Sequence, residues 1–353
     1  MNVYRNINRE EVQFDFLINS DDNCSYNEEI LNMGGRLIIL PKPNKKNIIR
    51  YSDIIANKIK EVGAYNCVHS HSLFFNGIVL KGAYKAGVPI RISHSHSTSD
   101  GKINNLFRKI YKSFMRNNIL KYSTDLFGCS LEACGYLYGT YSDNRIRVVN
   151  NGIELDKFKG VPCSDNLLKN ELKLPQECVL LGHVGRFTEV KNHKFIIEIF
   201  TYLIEYEPRA RLILVGDGPL KHEIKELIKN KGLDNYVYLL GIRDDVPKLI
   251  GSLDVFILPS LYEGVPLVLV EAQAAGIPCV VSDTVTDTID LKIGLVDYLS
   301  LQDDISIWIE TIVSKINKEK VDWSIREKAI KSNGYDIIDI SKDLQKIYLR
   351  NYT

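Results

Sequence analysis

Apolar runs in this sequence are short, and the one around Val255–Leu261 is broken by Pro259, far below the ~18 consecutive apolar residues a membrane helix needs. The start lacks the basic stretch, apolar core and small-residue cleavage site of a secretory leader. Charge of one sign is not in excess. Lys and Arg number 45 against 44 Asp and Glu, a net +1 that argues against a nucleic-acid partner, so any site for a charged ligand must be local. Cysteines are few and scattered (Cys24, Cys67, Cys129, Cys134, Cys163, Cys178 and Cys279), odd in number, with no C-x-x-C among them. That excludes a disulfide scaffold or a zinc ribbon and predicts reduced thiols in a cytoplasmic protein. What is present is ordinary globular composition, 45% apolar and 25% charged, over 353 residues. A chain of that length holds two domains of roughly 100–200 residues each.

Short apolar runs alternate with amphipathic segments from end to end, the pattern of parallel strands wrapped by helices, so the fold class is α/β. Strands are predicted in the first half at Val12–Ile18, Arg36–Leu40, Asn66–His69, Ile90–Ser93, Leu126–Cys129 and Ile146–Val149. The turn at Asn150, Asn151 and Gly152 and the polar stretch to Pro175 then read as a linker. A second series follows at Val179–Val184, Arg211–Val215, Val237–Leu240, Val255–Leu258 and Pro278–Ser282, so the doubly wound pattern occurs twice.

The start of the chain departs from that pattern. Doubly wound domains open on a buried strand and a glycine-rich turn, yet Met1–Arg9 reads as the end of a helix. The missing strand would be central, and its neighbours would be left with unpaired ladder groups at about 1–3 kcal/mol for each one buried. Two expectations follow: the true start lies upstream of Met1, or the chain is a decayed or rearranged relative of its ancestor.

The densest signal lies in the second half. Gly182-His183-Val184-Gly185-Arg186-Phe187 closes a strand, and Lys191 and Asn192 follow at the start of a helix. Free N–H groups at a helix N-terminus attract anions, and Arg186 and Lys191 add two charges; a solvated loop with incidental bases is the alternative. Downstream, Glu263 sits in a strand-to-helix turn, and Glu271 lies in a helix beginning near Pro266. The eight-residue spacing of the two proves little, since Glu319 and Glu327 share it. Val268, Leu269, Val270, Ala272, Ala274 and Ala275 make that helix apolar nearly all round, so Glu271 is predicted to be buried. A buried carboxylate needs a partner: ribose or sugar hydroxyls, or an internal Arg or Lys.

From Asn151-Gly152-Ile153 through GHVGRFTEVKNH, LILVGDGPL, YLLGIRDDVPKLI and DVFILPSLYEGVPLVLVEAQAAGIPCVVSD, the text resembles glycosyltransferase family 4, retaining enzymes of the GT-B fold. The likeness spans essentially the whole chain. It implies two Rossmann-like domains facing across a cleft: residues 1–155 on the acceptor side, lacking the first strand, and residues 156–334 holding the nucleotide-sugar. Residues 335–353 would form a helix crossing back to the first domain. It further implies that Arg186 and Lys191 bind the donor diphosphate, that Gly264, Val265, Pro266 and Leu267 approach the phosphates, and that Glu263 lies beside the donor sugar. Glu271 would take the ribose hydroxyls, and backbone near Ile242 and Arg243 would meet the base. The segment IRISHSHSTS and the ending NGYDIIDISKDLQKIY are most similar to the exopolysaccharide and capsule members.

Two histidine pairs end strands in the first half, His69 with His71 and His94 with His96, and a period of two puts both rings of a pair on one side. Packing or hydrogen bonding is one reading of them, and a four-histidine metal site without an evident carboxylate is another. The resemblance implies that His94 or His96, with His96 preferred, is the cleft histidine near the donor sugar. Gly101–Tyr122 is amphipathic, with Ile103, Phe107, Ile110 and Phe114 at helical spacing and Lys109, Lys112 and Arg116 on another face. It reads either as a core-facing helix with a basic back or as a helix resting on anionic lipid.

The expectation for function is a retaining glycosyltransferase of the hexosyltransferase type (EC 2.4) acting in exopolysaccharide, capsule or other cell-surface glycan synthesis. Its partners would be a nucleoside-diphosphate sugar and a glycan or lipid-linked acceptor, with no nucleic acid and no cofactor. It would be cytoplasmic, in peripheral contact with the inner face of the membrane. No metal is required, because metal-dependent transferases of the other common fold use D-x-D and this sequence has none. The alternative is a non-catalytic, N-terminally truncated remnant that still binds nucleotide.

Overall fold

The chain divides into two compact units, one formed by Met1–Gly152 with Ile337–Thr353 and the other by Ile153–Asp336. The structure is a computed structural model that describes residues 1–19, 26–44, 46–101, 105–160, 167–316, 318–319 and 321–350. Cys24, Cys163 and Ile103 lie outside the described residues, and the five described cysteines are free thiols.

In the first unit, β1 (Phe16–Ile18) and β2 (Leu37–Ile39) pair in parallel as a two-stranded sheet. β3 (Cys67–Ser70), β4 (Ile90–Ser95), β5 (Asp125–Gly128) and β6 (Ile146–Val148) form a separate parallel sheet in that order. Among the described residues no strand pairs with the outer edge of β1 or of β3. Successive side chains leave a strand on opposite faces, and β5 shows the result. Leu126 joins Tyr51, Ile55, Ile78 and Met115 in one core, while Phe127 joins Ile90, Ile92, Tyr4 and Tyr348 in the other. The opening helix Asn2–Asn6 is held by Tyr4, whose ring stacks on Phe14 at 5.2 Å. Strand β1 is shorter than the predicted Val12–Ile18. Phe14 leaves the ladder for that stack, and the Asp15 carboxylate accepts hydrogen bonds from the backbone N–H and guanidinium of Arg36. Helix Ile337–Leu349 packs into the second core through Leu344 and Tyr348, and Arg350 beyond it pairs with buried Asp125.

The second unit carries β7 (Val179–Val184), β8 (Ala210–Val215), β9 (Val237–Gly241), β10 (Val255–Leu258), β11 (Cys279–Ser282) and β12 (Val296–Leu299). They make one parallel sheet in the order β12-β11-β10-β7-β8-β9. Its central strands are covered on both faces: Leu180, Phe256 and Val281 enter one core and Leu181, Ile257 and Val280 the other. That double burial is why these strands read as unbroken apolar runs. β12 is absent from the sequence reading because it is a half-buried edge strand whose run is interrupted by Asp297, which pairs with Lys315.

Candidate functional site

Strand order changes direction between β7 and β10: the chain runs from β7 to β8 and β9 on one side, and from β10 to β11 and β12 on the other. Such a switch point leaves a crevice outside the carboxyl ends of the strands, where open α/β sheets bind ligands. The two loops that leave it carry the predicted donor residues, Gly185–Asn192 after β7 and Pro259–Pro266 after β10. They are fastened together, with the Leu261 N–H donating to the Val190 carbonyl at 2.8 Å and the Asn192 side-chain amide to the Pro259 carbonyl at 3.1 Å. Asn192 adopts a left-handed conformation (φ 53°) that turns the chain into helix His193–Tyr206.

Across these loops Lys191 Nζ lies 2.6 Å from Glu263 Oε1, and the Ser260 hydroxyl donates to the same oxygen at 2.7 Å. Sequence reasoning assigned no role to Ser260 or Asn192. Both flank the ends of predicted elements, the one signal that could have found them. Arg186 is exposed and makes no ion pair among the described residues, so its guanidinium is free for an anion. The Lys191 stem passes over Gly185, where an added Cβ would lie 3.3 Å from it. Gly185 in turn touches the end of β8: a Cβ on Gly216, whose φ is +134°, would stand 2.1 Å from the Gly185 carbonyl oxygen.

Helix Leu267–Ala274 begins after Pro266 and aims its free N–H groups at the same loops. Leu269, Val270, Ala272 and Ala274 are buried around it, and Gly264 faces open space. Burial pushes the Glu271 carboxyl up to about 7, opposed only by the charge of Lys157, and no hydrogen bond reaches it among the described residues. The internal Arg or Lys considered as its partner makes no such bond. Ile242 is 79% exposed, while the Arg243 guanidinium is held by Glu171 at 2.6 Å and Asp245 at 2.8 Å. At that position the backbone, not the charge, is available to a base.

The four strand-end histidines of the first unit come together. His69 Nε2 is 3.0 Å from His94 Nδ1 and His71 Nδ1 is 2.7 Å from His96 Nε2, and the ring centroids of His69 and His71 lie 4.3 Å apart and those of His94 and His96 4.1 Å. His69 Nδ1 also meets the Tyr348 hydroxyl at 2.8 Å, a contact no sequence pattern announced. Burial and then mutual repulsion hold His69 and His94 well below the usual imidazole range and bring His71 to about 4; burial lowers His96 too. Neutral rings fit these N···N contacts, since one nitrogen donates and the other accepts. Ligand nitrogens of His69, His71 and His94 all lie within 4.8 Å of one another, close enough to share an ion, though that set contains no carboxylate.

Residues 164–289 match the family described as glycosyl transferases group 1. The chain is 39% identical over 338 residues to the putative glycosyltransferase EpsF of Bacillus subtilis, covering 95% of this chain and 88% of that protein. It is 28% identical over 303 residues (83% and 77%) to the UDP-Gal:alpha-D-GlcNAc-diphosphoundecaprenol alpha-1,3-galactosyltransferase of Escherichia coli. A capsular polysaccharide biosynthesis glycosyltransferase of Staphylococcus aureus, CapH, is 24% identical over 362 residues (99% and 93%). Among solved structures, Anabaena Alr3699/HepE in complex with UDP superposes with a TM-score of 0.74 at 18% identity over 94% of this chain and 90% of that one, a likeness of fold.

Proposed function

We propose that this chain, which belongs to the group 1 glycosyl transferases and has the GT-B fold, moves a hexosyl group from a nucleoside-diphosphate sugar to an acceptor hydroxyl with retention at the anomeric carbon. That it is a glycosyltransferase of polysaccharide or capsule synthesis follows from the family and its relatives. The observation that carries the finer reading is the Lys191–Glu263 pair at the switch point, in the same pair of loops as Arg186 and ahead of Glu271, neither of whose side chains has an ion pair among the described residues.

As the glycosidic C–O bond lengthens, negative charge grows on the departing diphosphate and positive charge on the sugar ring. Arg186, Lys191 and the N–H groups at Leu267 answer the first, and a developing charge held by prearranged donors is where most catalytic stabilisation arises. Glu263, kept in place by Ser260 and Lys191, positions the sugar. The departing phosphate accepts the acceptor's proton, so no separate base is assigned. Glu271 accepts from the ribose hydroxyls, which supplies the partner its burial demands. His96 or His94 is assigned to the sugar side of the reaction. A lipid-linked sugar acceptor is supported by the name of the E. coli relative, and such an acceptor brings the chain to the cytoplasmic face of a membrane. No helix among the described residues is long and apolar enough to cross one.

A transfer assay with nucleotide-sugars, run beside calorimetric nucleotide binding, tests this. Retained configuration in the product and weakened nucleotide binding in Glu271→Ala and Arg186→Ala are the expected results, and unchanged affinity in both variants removes the site assignment. A second reading, nucleotide binding without transfer, rests on the divided sheet of the first unit, where the outer edges of β1 and β3 pair with no described strand. Turnover by the 353-residue chain overturns it.

A further inference from the structure

Glu263 owes its place to atoms carried by another strand. Leu258 pairs with Val281 in the parallel ladder, so the chain leaves β10 through Pro259 and Ser260 beside the point where it leaves β11 at Ser282. There the hydroxyls of Ser282 and Thr284 both donate to the Ser260 carbonyl oxygen, each at 2.6 Å. A carbonyl oxygen has two lone pairs and takes both. The two hydroxyl oxygens stand 2.9 Å apart because they share that acceptor. Ser260 and Ser282 are fully buried, whereas Thr284 is exposed. The groups on either side of this carbonyl are fixed by the other loop, Pro259 by the Asn192 amide and Leu261 by the Val190 carbonyl.

Holding the Ser260 carbonyl sets the direction of the Ser260 side chain. Its hydroxyl donates to Glu263 Oε1, the same oxygen that Lys191 Nζ meets. Both partners load one oxygen, and Glu263 Oε2 has no hydrogen-bond partner among the described residues. An ionised carboxylate accepts through both oxygens, so the lone pairs of Oε2 are left for hydroxyls brought by a ligand. The last torsion of a glutamate is broad, and a lysine ammonium is a point charge on a flexible stem that attracts the carboxylate without fixing its angle. The directional bond from Ser260 supplies the angle, and its own direction comes from Ser282 and Thr284.

We propose that Ser282 and Thr284 are positioning residues for glycosyl transfer: their hydroxyls clamp the Ser260 carbonyl, which aims the Ser260 hydroxyl at Glu263 Oε1 and leaves Oε2 to the sugar. This deepens the reading of Glu263 as the residue that positions the donor sugar, and rests on it.

Steady-state transfer by the full chain, with whichever of a panel of UDP- and GDP-hexoses the parent turns over fastest, tests it. Thr284→Val deletes one hydroxyl at nearly constant shape on an exposed residue; kcat should fall about threefold to tenfold, the worth of one hydrogen bond, with the KM for donor changed less than about twofold. Thr284→Ser keeps the hydroxyl and should restore the parent rate, and Ser282→Ala should behave as Thr284→Val does. In a Ser260→Ala chain, itself slowed, Thr284→Val should add nothing, because the clamp then has no route to Glu263, whereas a loss caused by a loosened fold would add in full. Parent kcat in Thr284→Val, no rescue by Thr284→Ser, or additive losses in the Ser260→Ala chain overturns the clamp. Failure of the underlying reading looks different: Glu263→Gln then turns over at the parent rate, or the parent turns over none of the panel. An impaired Glu263→Gln beside an unimpaired Thr284→Val removes the clamp alone.

Discussion

Glu271 is held between two opposing requirements. In the proposed ribose-binding role its carboxyl must be ionised to accept strongly from hydroxyls, and burial resists ionisation, moving it from an ordinary value of 4.5 to about 7. A carboxyl whose folded value is raised binds more protons folded than unfolded between pH 4.5 and 7, so the folded state loses stability as pH rises through that window. Glu271→Gln should therefore melt a few degrees higher than the parent at pH 8 without ligand, with the gain vanishing near pH 4.5, and should bind nucleotide more weakly at both. Calorimetric melting and titration check the two halves separately. If Lys191 and Arg186 hold the donor diphosphate as proposed, Lys191→Met and Arg186→Ala should each lower turnover by roughly 10²-fold or more in a steady-state transfer assay, the usual cost of removing one donor aimed at developing charge. Lys191→Met also strands Glu263 beside Ser260, so it should raise the KM for donor as well as lower kcat. The burial of Glu271 was legible only in part: the helix is apolar, but Leu267, Val268 and Glu271 form a half-buried face of it. Its lack of a partner was not, since Lys157 acts on it from 114 positions away in the chain.

At the scale of elements, the site is a junction of strand ends. The loop at Gly185 fits against Gly216 with no room for a side chain, and the Gly185 N–H donates to the Val215 carbonyl at 2.9 Å. Gly216→Ala adds a Cβ against backbone and strains a φ of +134°, a cost of about 1–3 kcal/mol. In a unit of this size that lowers melting by roughly 2–4 °C per kcal/mol, and nucleotide affinity should fall with it as the loop carrying Arg186 shifts. The central strands could be read from their apolar runs because both faces are buried; β12 could not, because an edge strand half in solvent keeps polar residues. Helix Leu106–Tyr122 shows the limit of periodicity most plainly. Spacing identified an apolar side and a basic side correctly, but direction is a property of the neighbours: Phe74 and Tyr136 give Lys112 and Arg116 rings and carbonyls to bind, and the apolar side is left outside.

Over the whole molecule, six of the seven histidines have lowered values, four in the first unit and His183 and His193 in the second. The cause is chiefly burial, and the unfolded chain takes up protons near 6.5 where the folded chain refuses them down to about 4 at His71 and His193. Stability contributed by the neutral rings is complete above pH 6.5 and is lost as pH falls toward 4. Melting temperature should drop steadily over that range, chiefly as the buried rings of His94, His183 and His193 are forced to take up protons. The sequence by itself determined the α/β class, most of the parallel strands and which loops carry the candidate site residues, because strand and helix periods and loop motifs are local properties. Only tertiary structure decided that Lys191 meets Glu263, that four imidazoles share one cluster, that the Glu271 carboxyl has no hydrogen-bond partner among the described residues and that helix Leu106–Tyr122 turns its apolar side to solvent. Each of these depends on which strand ends and which helix faces become neighbours after the chain has closed on itself, and contacts across 25 to more than 100 residues leave no mark in the local pattern.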